Sequence, residues 1–288
     1  SDRDWSSDVC SSDLYLEPVQ QSHLPVVAFS HKGLIRPNNE DSCLISAFQA
    51  AGAQRSNVLL AAVADGVGGH KAGEIASRIA VETIHAVIAG CANLDDPANL
   101  LVEAFQAANQ KIVRQAQANS EWSGMGSTCV CALIIDQRLY IANLGDSRLY
   151  LIREREIFQL TFDHTWMAEV LASQMPELGT VDRRHPLAHV LNRYLGSSEP
   201  IQVDLRMCNF TASREKQGTE HIGLELKAGD IIALTSDGVS DLLTDEEIKA
   251  SLAGRRRERW ARRLIYSALK NGGHDNATAV VIQAAREA

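Results

Sequence analysis

Short apolar runs, each bounded by Asp, Gly or Asn, recur along the chain and indicate buried β-strands. These runs occupy residues 58–64, 139–144, 231–236 and 277–282. Each run is too short to form a typical helix. Two further strands are predicted at residues 25–33 and 41–49, on either side of a polar turn. The pattern therefore predicts sheets that are built from many short strands.

Two longer stretches between these strands carry apolar residues at helical spacing. The first helix is predicted to begin near Gly73, with Ile75 and Ile79 on its apolar face. The second is predicted over residues 97–119, where the initial proline suits the first turn of a helix. Strands over residues 127–160 then return as hairpins, and both helices are expected to pack on one face of a sheet. Blocks of strands and blocks of helices predict an α+β or α/β fold.

The second half of the chain is less regular. Residues 163–195 read as a mixed, mainly helical excursion, and residues 208–223 as a polar hairpin loop or insertion. The arginine-rich run at residues 254–263 is interpreted as the solvated face of a helix that continues to about Lys270. No internal repeat interrupts this order.

Composition restricts the class of protein. A chain of 288 residues with 45% hydrophobic residues can bury one large core. Its formal net charge of −8 argues against a nucleic-acid surface, which needs clustered Lys and Arg. The 6 cysteines show no metal-binding or disulfide spacing, and no run is apolar enough to span a membrane. We therefore expect a cytoplasmic protein with neither nucleic-acid nor membrane partners.

The first residues are set apart from the fold. The stretch RDWSSDVCSSDL, at residues 3–14, resembles the translation of a sequencing-library adapter. Residues 1–22 are therefore predicted to be a sequencing or cloning scar followed by a disordered start. A single domain is expected over residues 23–288.

Acidic residues follow or precede several of the predicted strands, at places where the chain leaves the core. The clusters centre on Asp41, Asp65, Asp146, Asp237 and Asp275. Ionised carboxylates brought together would repel one another, and divalent cations relieve that repulsion. Because the candidate ligands are oxygen atoms, the pattern favours Mg²⁺ or Mn²⁺ over Zn²⁺. Gly66, directly after Asp65, leaves room for a backbone carbonyl to join the ligands.

The order and wording of the five clusters, RPNNEDS, ADGVGGH, GDSR, SDGVSD and GGHDN, resemble those of the metal-dependent serine/threonine protein phosphatases of type 2C, the PPM family. The resemblance extends over residues 31–283. It implies a four-layer αββα sandwich, in which two largely antiparallel sheets are flanked by helices. It also implies that residues 163–195 form the variable flap region beside the active site.

The resemblance also implies a set of ligands for two Mn²⁺ or Mg²⁺ ions. Asp65 would bridge the two ions, and the Gly66 carbonyl would bind one of them. The other implied ligands of these two ions, or of their water molecules, are Glu40, Asp41, Asp237 and Asp275. A third, weaker ion is implied near Asp146, Asp237 and Asp241.

In this family a water molecule activated by the metals attacks phosphorus, and the resemblance places the phosphate-binding arginine at Arg36. A guanidinium fork matches two phosphoryl oxygens at once. For the proton donor to the leaving alkoxide, His70 and a metal-bound water remain alternatives. Val67 stands where eukaryotic members have a histidine. His164 and His274 are interpreted as structural.

The leading hypothesis is hydrolysis of phosphoserine and phosphothreonine in proteins by a metal-activated water. The enzyme would act as a monomer on phosphorylated proteins and reverse a cognate bacterial Ser/Thr kinase. Two alternatives remain: a catalytically weak regulatory module with the same fold, and a phosphatase of a small phosphorylated metabolite. Retention of Arg36, Asp65, Asp237 and Asp275 argues against the regulatory module.

Overall fold

Two antiparallel sheets face each other in the computed structural model, which describes residues 15–51, 55–67, 71–172, 187–208, 223–254 and 256–284. The first sheet contains, in spatial order, β1 (Tyr15–Pro18), β3 (Asp41–Ala51), β4 (Asn57–Val67), β6 (Cys129–Ile135), β7 (Arg138–Leu144) and β10 (Leu224–Glu225), with β5 (Gly126–Ser127) paired to β4. The second contains β2 (Val26–His31), β12 (Ala277–Gln283), β11 (Ile231–Thr235), β8 (Arg148–Arg153) and β9 (Glu156–Gln159). The predicted strand runs are confirmed.

Helices accompany both sheets. The helices are α1 (Lys71–Ala89), α2 (Pro97–Ala118), α3 (Trp166–Ala172), α4 (Asp237–Ser240), α5 (Asp245–Ser251) and α6 (Trp260–Lys270), with 3₁₀ turns at Ser120–Trp122 and Arg257–Arg259. The helix that the sequence predicts from Gly73 begins two residues earlier. For α2, the Asp96 side chain caps the start by accepting a hydrogen bond from the Asn99 amide, and Pro97 occupies the first turn.

Three apolar layers hold this arrangement together. Side chains of α1 and α2, such as Ile84 and Phe105, pack with Leu60 on the outer face of the first sheet. Leu59 points the opposite way and packs between the two sheets. A third layer joins the second sheet to α6 through Leu264 and its neighbours. β4 is buried on both faces, which explains why its sequence is continuously apolar. The α+β, four-layer αββα sandwich is confirmed.

A β-strand lies within the segment that the sequence assigns to a scar and a disordered start. β1 pairs with β3 from Tyr15 opposite Ala51 to Pro18 opposite Phe48. Leu16 is 3% exposed and belongs to the core of the first sheet. The boundary expected at residue 23 is therefore too late, because this edge strand lies within the segment assigned to a disordered start. The adapter-like stretch itself lies outside the described residues.

The structure confirms or describes only part of several other predicted segments. In the excursion at residues 163–195, α3 is helical, whereas residues 173–186 lie outside the described part of the chain. The polar segment at residues 208–223 lies almost wholly outside it. The helix predicted over the arginine-rich run is confirmed only from Trp260, where α6 begins, because Arg257–Arg259 form a 3₁₀ turn. The Arg262 guanidinium lies 5.1 Å from the centre of the Phe29 ring. Within the described ranges, no helix combines the length and apolar character needed to cross a membrane.

The register brings the acidic strand ends to one end of both sheets. At this end of the first sheet, Asp41 at the start of β3 pairs with Asp65 near the end of β4. In the second sheet, Thr235 at the end of β11 lies between Arg148 and Ala279. Asp146, Asp237 and Asp275 each lie two residues from one of these positions or from the start of β12. These acidic residues, of which Asp41 and Asp275 are 234 positions apart in sequence, therefore meet.

Candidate metal centre

A cavity of about 530 Å³ opens at the end of the sheets where these acidic residues meet. Its acidic lining residues are Glu40, Asp65, Asp146, Asp237 and Asp275, and Arg36 is also part of the wall. The remaining lining includes Gly66, Val67, Thr128, His189, Tyr194 and Asn276. Seven of the ten residues predicted for catalysis or metal binding thus share one cavity.

The backbone of Asp65 is held by Ser127, at the end of β5, and by Thr128, directly before β6. The Asp65 amide donates to Oγ1 of Thr128 at 3.0 Å, and the Thr128 amide donates to the Asp65 carbonyl at 2.8 Å. The Ser127 hydroxyl donates to the same carbonyl at 2.9 Å. These bonds fix the direction of the Asp65 side chain, because two consecutive residues of the neighbouring segment hold its peptide.

Gly66 is required by the close approach of α1. A Cβ atom on Gly66 would lie 2.2 Å from the Gly73 carbonyl oxygen and 2.8 Å from that of Glu40. No side chain fits in that space. The Gly66 amide donates a hydrogen bond to the Glu40 carbonyl at 3.2 Å, which joins the acidic clusters around Asp41 and Asp65. Coordination by the Gly66 carbonyl stays a prediction.

Asn276 ties down the loop that carries Arg36 and Glu40. Its Oδ1 accepts a hydrogen bond from the Glu40 amide at 2.7 Å. Its Nδ2 donates to the carbonyls of Lys32 at 2.9 Å and Asn38 at 2.8 Å. The side chain is buried, so these three bonds replace water for the loop backbone. Asn276 therefore supports the loop that carries Arg36 and Glu40.

Arg36 extends across the cavity mouth to Asp275. Its Nη2 donates to Asp275 Oδ2 at 2.6 Å, and 53% of the Arg36 side chain is exposed. The hydrogen bond to Asp275 raises the pKa of the guanidinium above its usual value. The other carboxylate oxygen, Oδ1, accepts from the Asn276 amide at 2.7 Å. Arg36 therefore reaches the site, and both Asp275 oxygens have partners.

The pKa values of the buried carboxyl groups in the cavity are raised above their ordinary values. Burial, followed by repulsion from Asp237 and Asp41, raises the pKa of Asp65 well above its ordinary value. Burial and the charge of Asp237 do the same to the pKa of Asp146. The pKa of Asp237 itself is raised chiefly by burial, although a hydrogen bond with Asp65 opposes the rise. These groups need either protons or cations nearby.

The donor set fits divalent cations. All candidate ligand atoms are oxygens, and Oδ1 of Asp237 is buried without a hydrogen-bond partner. Among the described residues, no three acidic, His or Cys side chains already converge closely enough to hold an ion. Two pairings are present in this cluster: Asp65 bonds to Asp237, and Asp275 bonds to Arg36. Cation binding would replace these pairings by rotation of the side chains.

Asp41 does not reach the cavity wall. Its side chain is 8% exposed, and its Oδ2 accepts a hydrogen bond from the Ser236 hydroxyl at 2.7 Å. Burial raises its pKa to about 7, with smaller contributions from Asp237 and Asp275. The structure places Asp41 between the two sheets, outside the cavity lining. A part for Asp41 in holding metal-bound water stays a prediction.

Asp241 also lies outside the lining of the cavity. Its Oδ2 is 3.3 Å from Nδ1 of His189, and its Oδ1 is 4.0 Å from Nη2 of Arg148. The Arg148 guanidinium is held more closely by Asp163, at 2.6 Å. Asp241 therefore contacts residues 163–195 through His189, and its charge still raises the pKa of Asp146.

The proposed proton donor, His70, lies outside the described residues, as do Gly68 and Gly69. Its position relative to the cavity stays a prediction. The neighbouring Val67 is 42% exposed on the cavity wall. His274 is exposed and does not line the cavity, which agrees with a structural assignment.

Several cavity residues were not predicted from the sequence, among them Thr128 and His189. Thr128 holds the Asp65 peptide and bonds to the Ser147 hydroxyl at 2.7 Å. The signal was a pair of hydroxyl residues immediately before an apolar strand, which is common. His189 lines the cavity and carries no local motif, because the chain that positions it folds back from the end of the flap region. Neither residue could be selected from spacing alone.

Comparison with known proteins agrees with this geometry. Residues 26–169 match the family model described as protein phosphatase 2C. The Serine/threonine protein phosphatase PstP of Mycobacterium tuberculosis is 36% identical over 90% of this chain, which spans only 44% of that relative's length. The Serine/threonine phosphatase stp of Listeria monocytogenes is 30% identical, with 88% of this chain and 92% of the relative covered.

A solved structure shares the whole fold. The catalytic domain of PstP, described as a complex with 2 manganese ions, superposes with a TM-score of 0.70. It is 32% identical, and the match covers 91% of this chain and 98% of that domain. The sandwich, the acidic cavity and these matches lead to the same conclusion. The chain belongs to the protein phosphatase 2C family.

Proposed function

We propose that this protein hydrolyses phosphoserine and phosphothreonine in proteins, with divalent cations bound in the acidic cavity. One observation carries the proposal: five carboxylates from separate segments share a single cavity with Arg36. Such a cluster is costly to bury without cations, and the guanidinium supplies a partner for an anionic group. A site with both features suits a phosphate ester held beside metal ions.

The relatives support the choice of reaction and cation. Those described above are called serine/threonine phosphatases, and one catalytic domain is described with 2 manganese ions. We assign two Mn²⁺ or Mg²⁺ ions to Glu40, Asp65, Gly66, Asp237 and Asp275. A third, weaker ion is assigned near Asp146, with help from Asp237 and Asp241. When bound, such cations lower the pKa of water and so provide a nucleophile near neutral pH.

The residues of the chain bind and orient the substrate. The Arg36 guanidinium can exchange the Asp275 carboxylate for two phosphoryl oxygens, since the pair is 2.6 Å long and lies at an exposed mouth. Asn276 keeps the Arg36 loop at a fixed distance from the acidic wall through its three hydrogen bonds. We infer that phosphorus binds between Arg36 and the carboxylate cluster, where positioning and electrostatics would provide most of the rate.

The mouth of the cavity favours a protein substrate over a small metabolite. Leu34 and Ile35, directly before Arg36, are 65% and 70% exposed. Val190, on the cavity wall, is 46% exposed. Exposed apolar side chains next to Arg36 in sequence and on the cavity wall would offer contacts to the chain around a phosphorylated residue. A small phosphorylated metabolite would leave them unused.

Other parts of the proposal rest on the resemblance alone. His70 or a metal-bound water would protonate the leaving alkoxide. A cognate Ser/Thr kinase, a monomeric state and a cytoplasmic location complete the prediction. The chain spans 44% of the length of the mycobacterial relative. The activity of the whole protein is therefore also a proposal.

The test is phosphate release from a phosphothreonine peptide by the purified protein. We expect turnover with Mn²⁺, none with EDTA, and none from the Asp65→Asn variant with Mn²⁺. Asp95→Asn is the matched control, because Asp95 is an exposed loop aspartate that does not line the cavity. Turnover that persists in EDTA would refute the metal-dependent mechanism. Turnover of a small phosphate ester without turnover of any phosphopeptide would refute the proposed substrate class.

A further inference from the structure

A buried polar pair lies behind the cavity, next to the loop that carries Asp146. His164 is 6% exposed and Asp204 is 5% exposed. The His164 Nε2 and Asp204 Oδ2 atoms are 3.2 Å apart. Burying an imidazole and a carboxylate costs free energy unless both are fully hydrogen-bonded. The remaining bonds of the pair show what it holds in place.

Both backbone groups of Gly145 bond to His164. The Gly145 amide donates to His164 Nδ1 at 3.1 Å, and the His164 amide donates to the Gly145 carbonyl at 3.0 Å. Nδ1 is therefore an acceptor, so Nε2 carries the proton and donates to Asp204. Gly145 has a φ of 104°, which favours glycine, and a Cβ atom there would lie 2.6 Å from Thr128. Glycine is therefore needed at this position, and His164 bonds to both its amide and its carbonyl.

Asp204 is itself fixed from two sides. Arg206 donates to both of its oxygens, from Nε at 2.9 Å and from Nη2 at 2.5 Å. Its backbone pairs with Asn143, with hydrogen bonds of 2.8 and 3.1 Å. Burial acts to raise the pKa of Asp204, but the bonds from Arg206 and His164 outweigh it and lower the pKa below its usual range. Asp204 is thus an ionised, rigid acceptor for His164.

The next residue after Gly145 is Asp146, which is 9% exposed and lines the acidic cavity. Its carboxylate lies in a position that burial and the charge of Asp237 both disfavour. A peptide that could rotate would let Asp146 turn away from Asp237. The two bonds from His164 restrict rotation of the Gly145 peptide.

We propose that the His164–Asp204 pair is a positioning device that holds the Gly145 peptide, and through it directs the Asp146 carboxylate into the cavity to bind a cation. The inference rests on the proposed function, because it requires cation binding at Asp146. Neither His164 nor Asp204 touches substrate. Partners that orient metal-binding groups in this way typically change metal affinity 10- to 100-fold when they are lost.

A second buried Asp–Arg pair provides a matched control. Arg153 donates to both oxygens of Asp230, from Nε at 3.0 Å and from Nη2 at 2.5 Å, and Asp230 is 2% exposed. Arg148 and Arg153 lie at opposite ends of β8, so this pair is about 17 Å further along the strand from the cavity. Asp230→Asn therefore removes a comparable buried charge without affecting the Asp146 loop.

The experiment measures Mn²⁺ binding by calorimetry and the Mn²⁺ concentration that gives half-maximal phosphopeptide turnover. For Asp204→Asn we expect about a tenfold loss of affinity at the weakest site, and about a tenfold rise in that concentration. The KM for the peptide at saturating Mn²⁺ is expected to stay unchanged. Asp230→Asn is expected to bind Mn²⁺ as the wild type does, even if both variants lose stability to urea.

A second pair of variants keeps the test valid if Asp204→Asn folds poorly. In His164→Asn, the amide oxygen takes the place of Nδ1 and can still accept from Gly145, whereas His164→Ala cannot. Mn²⁺ affinity is therefore expected to be higher in His164→Asn than in His164→Ala. Equal affinity in these two variants and the wild type would overturn the inference.

The Asp146→Asn variant separates the two hypotheses. If it binds Mn²⁺ like the wild type, no cation uses Asp146, and that part of the proposed function is wrong. If it loses affinity but Asp204→Asn does not, the proposed function stands and the positioning role fails. Combining Asp146→Asn with Asp204→Asn should add little further loss, because both changes act on the same carboxylate.

Discussion

The guanidinium of Arg36 and the carboxylate of Asp275 are joined by a 2.6 Å ion pair across the mouth of the acidic cavity. The first is the proposed phosphate-binding group, and the second is a proposed cation ligand. The two residues are 239 positions apart in sequence, and Asn276 holds them together by binding the loop that contains Arg36. A phosphate that binds Arg36 would therefore displace Asp275 from it, and a cation that binds Asp275 would displace Arg36.

Replacement of Arg36 should separate substrate binding from metal binding. For Arg36→Ala we expect the KM for a phosphothreonine peptide to rise about 10- to 100-fold, since hydrogen bonds to charged groups contribute about 1.5–3 kcal/mol. Mn²⁺ affinity should not fall, because the substitution frees Asp275. Steady-state kinetics and calorimetry measure the two effects. Arg36→Lys should recover only part of the KM. A collapse of Mn²⁺ affinity would instead make Arg36 a structural residue.

Removal of one deep carboxylate should affect activity and stability in opposite directions. Asp65→Asn is expected to abolish Mn²⁺-dependent turnover. Without cations, the same variant should be more stable than the wild type by about 1–2 kcal/mol, because one of several mutually repelling buried charges is gone. Urea unfolding in EDTA measures the difference. Lower stability of Asp65→Asn than of the wild type under these conditions would contradict the electrostatic description of the cavity.

The stability of the cation-free protein should depend on pH. The pKa of Asp41 rises from 3.8 to about 7 on folding, and the pKa values of Asp65, Asp146 and Asp237 also rise. The folded state thus binds more protons than the unfolded state between these values. The free energy of unfolding in EDTA should therefore fall as the pH increases from about 4 to about 7.

Urea unfolding at several pH values tests this dependence. Saturating Mn²⁺ should weaken the decline, since cations replace the protons that the cluster otherwise needs. The Asp41→Asn variant should also show a shallower decline in EDTA than the wild type. A free energy of unfolding that rises over this interval in EDTA would show that the acidic cluster does not govern the pH dependence.

Loss of the Asn276 side chain should damage the substrate loop. Asn276→Ala removes three hydrogen bonds to the backbone of residues 32–40, so we expect a loss of about 2–3 kcal/mol in the free energy of unfolding. The KM for peptide should rise as well, because Arg36 is no longer held. Asn99→Ala is the control, since the Asn99 side chain is exposed and donates to Glu103 alone. Equal KM values in the two variants would argue against a positioning role.

Much of the fold was predictable because both sheets are made of short, continuously apolar strands. β4 is an example: Leu59 and Leu60 face different cores, and the sequence shows an uninterrupted run bounded by Asn57 and Asp65. The edge strand β1 was not predicted. Tyr15–Pro18 has no apolar run of its own, and its order depends on pairing with β3 and on burial of Leu16.

The candidate site likewise contains some features that the sequence predicts and others that it does not. Acidic residues at strand ends could be recognised from their flanking runs, and antiparallel register brings them together. The inward position of Asp41 could not be recognised, because it depends on Ser236 from the other sheet. The contact between His164 and Asp204 likewise joins residues 40 positions apart. Such pairings belong to the tertiary structure and leave no local signal.

The most direct test of the central claim is anomalous diffraction from crystals grown with Mn²⁺, with data collected at the manganese absorption edge. The predicted result is two strong anomalous peaks in the cavity beside Asp65, Asp237 and Asp275, with Arg36 released from Asp275. A third, weaker peak near Asp146 would agree with the proposed third ion. Absence of any peak in this cavity, in crystals of a protein that shows Mn²⁺-dependent turnover, would contradict the proposed metal centre.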